Sequence, residues 1–163
     1  MEPRGANFKF TDLQAVVGLA QLQKLPGRVD RMRAMWARYD ENLRELEGLV
    51  KLRTAGEGYI PWFVDLEVLG PEPRATRDAL QAFLKAHRVG SRPMYPQLSA
   101  EPAFAESACD GACANHPVAA RAAAGGLFLP SASSYDDGTI DLVCELIRAF
   151  FRSVSPTRDR TRW

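Results

Sequence analysis

The sequence predicts an α+β domain in which helices pack against a small, mostly antiparallel sheet. Two observations carry this expectation. Apolar residues recur at intervals of three and four in some segments and alternate or cluster in short runs in others, in the order helix, helix, strand, strand, helix, strand, loop, short helix, strand, helix. The second is bulk: 163 residues, 46% of them apolar and 25% charged, have the size and composition of one ordinary globular core.

Thr11 followed by Gln14 reads as a capping box ahead of Leu13, Val16, Val17 and Ala20, predicting a first helix over about 12–25 that Pro26-Gly27 closes. Val29, Met32, Trp36, Tyr39, Leu43 and Leu46 then share one face of a second helix, with Gly48 as its stop. After Leu49-Val50-Lys51-Leu52 and a glycine-containing turn, Trp62, Val64, Leu66 and Val68 alternate with Phe63, Asp65 and Glu67, the pattern of a half-buried strand. Leu80, Phe83 and Leu84 mark a third helix from about Arg74 to His87, stopped near Gly90 before a short extended piece at 91–94. Residues 95–115 carry prolines and small residues without a period, a long loop of the kind that holds function. An Ala-rich helix after Pro117, a short strand at Leu127-Phe128-Leu129-Pro130 and a last helix complete the chain. That last helix is expected to be capped by Thr139, with Ile140, Val143, Cys144, Ile147, Phe150 and Phe151 inward.

Twenty-one basic residues against twenty acidic ones leave a formal charge of +1, so no whole-molecule field draws the chain to nucleic acid or to an anionic membrane. The N-terminal residues show no apolar targeting core, and no run approaches the ~20 apolar residues that span a bilayer. Three cysteines, Cys109, Cys113 and Cys144, do not make a disulfide framework and point to a reducing, cytoplasmic compartment. The tail from Ser153 is polar, and its arginines read as a solvated, frayed end.

Few motifs carry chemistry by themselves. Cys109, Cys113 and His116 have donor types suited to zinc but no evident fourth ligand, so surface thiols are the preferred reading and no metal is expected. His87 fits a helix C-terminus, where the dipole favours a cation. Ser131, Ser133 and Ser134 read as a turn, since no glycine-rich phosphate loop precedes a helix. Met32, Met35, Trp36 and Tyr39 read as a packing stripe. No nucleophile, histidine and acid set stands out.

The run Gly5-Ala6-Asn7-Phe8-Lys9-Phe10-Thr11-Asp12-Leu13-Gln14, continuing to Leu22, resembles a signature of the DegT/StrS family of pyridoxal-phosphate-dependent sugar aminotransferases. Pro61-Trp62-Phe63-Val64-Asp65, Ser91-Arg92-Pro93-Met94-Tyr95-Pro96-Gln97-Leu98 and Gly126-Leu127-Phe128-Leu129-Pro130-Ser131 agree in order. The resemblance implies the C-terminal part of such an enzyme: linker helices plus the small domain of the aspartate-aminotransferase-type (type I) fold over 1–152, followed by the tail 153–163. It does not extend to the large domain, which in the family carries the lysine that holds the cofactor and most of the phosphate cup. None of Lys9, Lys24, Lys51 or Lys85 stands in that lysine's context. Seventeen arginines against four lysines leave few other amines for Schiff-base chemistry.

By resemblance, Asn7 reaches the cofactor phosphate of a neighbouring subunit, an apt role for an amide donor. Lys9 stands where many members carry arginine, and Tyr95 and Arg92 fall in the loop that faces the sugar nucleotide. Ser99 occupies the place where many relatives carry a histidine. The chain is expected to be inactive alone, to use pyridoxal phosphate only when completed by a large domain, and to assemble as a homo-oligomer with that large-domain segment or second subunit as its partner. The implied activity transfers an amino group, in the family usually from glutamate, to a nucleotide-linked keto-deoxysugar, with wording nearest to the perosamine synthases that act on GDP-linked 4-keto-6-deoxymannose. Polysaccharide or glycoside synthesis is the implied setting. The alternative is a free-standing binding or assembly module that kept the fold without the catalysis.

Overall fold

The computed structural model describes residues 9–53, 58–102 and 116–154. Helix α1 spans Asp12–Leu22, and its capping box is complete: Thr11 Oγ1 accepts from Gln14 N at 3.3 Å, and Gln14 Oε1 accepts from Thr11 N at 2.9 Å. Helix α2 spans Leu25–Leu43 with Pro26 in its first turn. Pro26-Gly27 therefore opens the second helix instead of closing the first, because a proline there gives up an N–H that has no helical partner anyway. A 3-10 turn at Arg44–Leu46 and Gly48, at φ 89°, bring the chain into strand β1, Val50–Leu52.

Strand β2 is Val64–Val68, helix α3 Pro73–Ala86 and strand β3 the two residues Arg92–Pro93. Helix α4, Pro117–Gly125, runs straight into strand β4, Gly126–Leu129, and helix α5 covers Asp137–Val154. The α4–β4 junction explains its glycines. A Cβ on Gly125 would sit 2.4 Å from Val68 O, and one on Gly126 would meet Ala122 O at 2.4 Å and Met94 Cβ at 2.7 Å. Helix α5 starts two residues before the expected Thr139 cap. Asp136 does the capping, its Oδ1 accepting from Thr139 N at 2.7 Å, and the hydrogen bonds from Thr139 hold its carboxyl below the usual carboxylate range.

The four strands form one sheet in the order β1-β2-β4-β3, every pair antiparallel, with Val50 opposite Val68, Val64 opposite Leu129 and Arg92 opposite Phe128. Helices α2, α3 and α5 supply the other side of the core. Met35, Tyr39, Leu80, Leu84, Ile140, Val143 and Ile147 pack with Val64, Leu66, Val68 and Leu127 in one cluster. Tyr39 satisfies its hydroxyl inside that core by donating to Pro130 O at 3.0 Å, and burial pushes the phenol well above its ordinary pKa. Cys144 is core as expected, its thiol pushed up to about 12 by burial. Arg38 clamps α2 to α5 through two bonds to Asp141, at 2.7 and 2.6 Å, which Asn42 also contacts at 2.9 Å.

Two features depart from the expected half-buried strand. Trp62 stands 79% exposed on the approach to β2 instead of facing the core. Glu67, on the side away from α2, α3 and α5, is 3% exposed because Arg53 and Arg121 of α4 close over it at 2.9 and 3.1 Å. Helix α1 is the opposite case: none of its residues is buried, although Leu13, Val16, Val17, Leu19 and Leu22 lie along it. Among the described residues no helix is long and apolar enough to cross a membrane.

Candidate functional site

An open groove of about 710 Å³ lies where the first turns of α2 approach the ends of β3 and β4. Leu25, Val29 and Met32 of α2 line it together with Ile60, Pro61, Trp62 and Phe63. Phe128 and Leu129 lie at the end of β4, and Arg28 and Arg92 bring positive charge to the groove. Its chemistry is therefore aromatic and apolar surface beside two permanent cations, a combination suited to a planar group carrying an anion.

The aromatic side chains are continuous. Trp62 stacks on Phe63 at 4.8 Å between ring centroids, Phe63 lies against Phe128 at 4.9 Å, and Tyr95 meets Phe128 edge-on at 5.6 Å. Arg92 reaches over the Tyr95 ring, 4.5 Å from its centroid, and its Nη1 donates to Tyr95 Oη at 3.2 Å. Pairing of β3 with β4 sets Arg92 opposite Phe128, and the chain turn that follows returns Tyr95, 53% exposed, to the same aromatic group.

Pairing of β2 with β4 sets Asp65 on the other flank of Phe128. Burial raises the Asp65 carboxyl above its ordinary pKa, with Arg53 opposing the shift, and Tyr59 is raised by burial and by the Asp65 charge. Asp65 Oδ1 is buried and has no hydrogen-bond partner, whereas the guanidinium of neighbouring Arg53 is engaged by Glu67 at 2.9 Å.

The structure brings Arg92, which lines the groove, into contact with Tyr95, a pairing the sequence did not specify. Lys9 lies exposed ahead of α1, outside the groove lining. Asn7, Cys109 and Cys113 lie outside the described residues, and His116 immediately precedes α4. Ser131 lines the groove, but its hydroxyl serves the backbone, donating to Leu129 O at 2.8 Å and accepting from Val64 N at 3.3 Å. Sequence reasoning did not assign Trp62, Phe128 or Arg28 to the site. The adjacent Trp62-Phe63 pair was the available signal, since two consecutive large aromatics cannot both face the core of an alternating strand.

This fold is that of a family of aminotransferases. The model of the DegT/DnrJ/EryC1/StrS aminotransferase family matches residues 1–148. The chain belongs to that family. A dTDP-4-dehydro-2,6-dideoxy-D-glucose 3-dehydratase from Saccharopolyspora spinosa is 33% identical over 101 residues, 61% of this chain and 22% of the relative. A GDP-perosamine synthase from Escherichia coli O157:H7 is 25% identical over 147 residues, 90% of this chain and 38% of the relative. Among solved structures, DesV from S. venezuelae superposes with a TM-score of 0.77 at 25% identity, covering 94% of this chain and 40% of that one. The sugar aminotransferase Spr1654 from Streptococcus pneumoniae, in its PLP form, gives a TM-score of 0.77 at 20% identity over 91% of this chain and 37% of that one, a likeness of fold. The chain therefore spans well under half the length of these relatives, and it is the α+β small-domain part of the aminotransferase fold.

Pyridoxal phosphate needs a lysine amine for its aldehyde and a set of donors for its phosphate. Among the described residues no lysine lines the groove. The described residues do not fit the whole cofactor by themselves; what they present is cationic and aromatic surface.

Proposed function

We propose that residues 1–152 are the linker helices and small domain of a pyridoxal-phosphate-dependent nucleotide-sugar aminotransferase, and that they supply substrate contacts while the complementary part of the enzyme supplies the cofactor lysine. The parent reaction moves an amino group, from glutamate as donor, to the keto carbon of a nucleotide-linked deoxysugar. A GDP-linked 4-keto-6-deoxymannose is the preferred acceptor in this reading, supported by the likeness to GDP-perosamine synthases. The work is cytoplasmic and serves polysaccharide or glycoside synthesis. The tail 153–163 has no part in it.

The observation that carries the reading is the groove itself: Arg28, Arg92 and a run of aromatic rings, with no amine among the lining residues. Such a surface binds and orients an anionic, planar ligand but holds no group able to accept and return a substrate proton through an imine. Within it, Arg92 is the residue to meet a phosphate, with Tyr95 fixing the guanidinium from below through the ring and hydroxyl contacts. Trp62 and Phe63 shield one side from water. Lys9 adds positive charge ahead of α1, and Asn7 donates to the cofactor phosphate of a neighbouring subunit. The uncovered apolar surface of α1 supports a partner, either the remainder of the enzyme or a second subunit of a homo-oligomer, because a helix with this many exposed apolar residues is stabilised by being covered.

The test is a single polypeptide joining this chain to the cofactor-bearing part of a family relative, assayed with glutamate and GDP-4-keto-6-deoxymannose. Formation of the amino sugar is expected, with loss of at least ten-fold in kcat/KM on Arg92→Ala. A chimera that folds and takes up pyridoxal phosphate yet leaves the keto sugar unaminated refutes the reading. Preference for a different keto-sugar nucleotide refutes the acceptor assignment alone.

A further inference from the structure

Strand β3 gives little support to the residue it carries. It consists of Arg92 and Pro93, pairs with β4 at one edge of the sheet, and includes a proline that has no N–H to give. Holding a long side chain such as Arg92 in one place over a ring costs conformational entropy, and so short a ladder does little to offset it.

Helix α3 supplies what the ladder lacks, through two polar side chains four residues apart and therefore on one side of the helix. Arg77 is 5% exposed, its charge met by Asp78 at 2.7 Å, and its Nη1 donates to Ala123 O at 3.3 Å and to Gly126 O at 3.4 Å. Gly126 O also accepts from Met94 N at 2.9 Å, and the missing Cβ of Gly126 is what lets Met94 come so close. The Met94 end of segment 91–94 is thus fixed against β4. The freedom that remains lies at the Ser91 end, and there Gln81 Nε2 donates to Ser91 O at 3.2 Å.

We propose that Gln81 is a positioning residue for the Arg92–Tyr95 pair. It removes the last freedom of the backbone from which Arg92 enters the groove and sets its guanidinium 4.5 Å from the Tyr95 ring centroid. The inference rests on the reading of Arg92 as a substrate contact and extends it to a side chain that lies outside the groove lining. Gln81 acts on Ser91 O, the carbonyl of the peptide bond that leads into Arg92, so a change there alters the direction in which the guanidinium leaves the sheet edge. Arg77 holds the end of α4 as well, so its loss reaches further than the site; Gln81 makes one neutral hydrogen bond at a half-buried position, so its loss is local.

Ring-current shifts of the Arg92 side-chain protons in the full chain, assigned by comparison with Tyr95→Leu, report the pair without any ligand. Gln81→Met, which keeps the length of the side chain and removes the donor, is expected to reduce those shifts by at least half while circular dichroism stays native, and Gln81→Glu should do the same. In the single polypeptide joined to the cofactor-bearing part of a relative, Gln81→Met should raise KM for the keto-sugar nucleotide about five-fold with kcat within two-fold. It should add nothing further in an Arg92→Ala background, because a residue that acts through Arg92 has no effect once Arg92 is gone. Shifts unchanged in both Gln81 variants overturn the positioning role. So does a KM that Gln81→Met leaves unmoved while Arg92→Ala impairs the enzyme, or a rise in KM that persists in full without Arg92. Reduced shifts in Gln81→Met together with an Arg92→Ala enzyme of unchanged kcat/KM overturn the substrate-contact reading and leave the positioning role standing.

Discussion

Asp65 and Glu67 are two carboxylates two positions apart on one strand, and their surroundings make them opposites. Glu67 is enclosed by Arg53 and Arg121, so its burial is compensated. Asp65 is desolvated, Arg53 offsets this only in part, and its carboxyl is raised from 3.8. For an acid whose native value lies above its unfolded one, the folded state binds the extra proton, so stability falls as pH rises through that interval. The charge then burdens the fold throughout the neutral range. Asp65→Asn is therefore expected to raise the melting temperature at pH 7 by about 1–3 °C and to leave it unchanged near pH 3, where wild type is neutral too. Thermal unfolding followed by circular dichroism at the two pH values checks this; a variant less stable at pH 7 would show that the carboxylate has a stabilising partner.

Among the elements, α1 stands apart. Its capping box is intact and its register is set by Thr11 and Gln14, yet it buries nothing. Helices this short are marginal in water unless a packed face supports them, so α1 needs a surface beyond the described residues. Combining Leu13→Glu, Val16→Lys and Val17→Gln should leave the melting temperature of the chain within about 2 °C, since exposed positions contribute little. The same triple variant should abolish concentration-dependent self-association in sedimentation velocity. Unchanged association would move the sticky surface elsewhere. Helices α2 and α5 behave differently because each has both an apolar face and a charged clamp, Arg38 with Asp141 and Arg31 with Asp137 at 2.7 Å.

For the molecule as a whole, the expected outcome is a stable small domain without cofactor chemistry of its own. Incubation with pyridoxal phosphate, borohydride reduction and intact-mass measurement should give no single stoichiometric lysine adduct. One specific adduct, on Lys9 for instance, would mean the chain builds a cofactor site alone. Much of this molecule was legible in the sequence because local chemistry decides it. The order of the elements follows from apolar spacing, the α1 start from its capping box, the inward face of α5 from Ile140 to Phe151, and the family from its long N-terminal signature. Boundaries with two meanings were less legible: Pro26-Gly27 serves as well to open a helix as to close one, and Asp136 and Thr139 compete for one cap. Of the site, Arg92 and Tyr95 were named from the sequence, but not the contact between them. Phe128 and Arg28 join the groove only through strand register and helix placement. Whether a carboxylate two residues from another becomes a paired core charge or an unpaired acceptor depends on which arginines reach it. Arg53 comes from just beyond the end of β1 and Arg121 from a helix 54 residues on, so only the tertiary structure decides it.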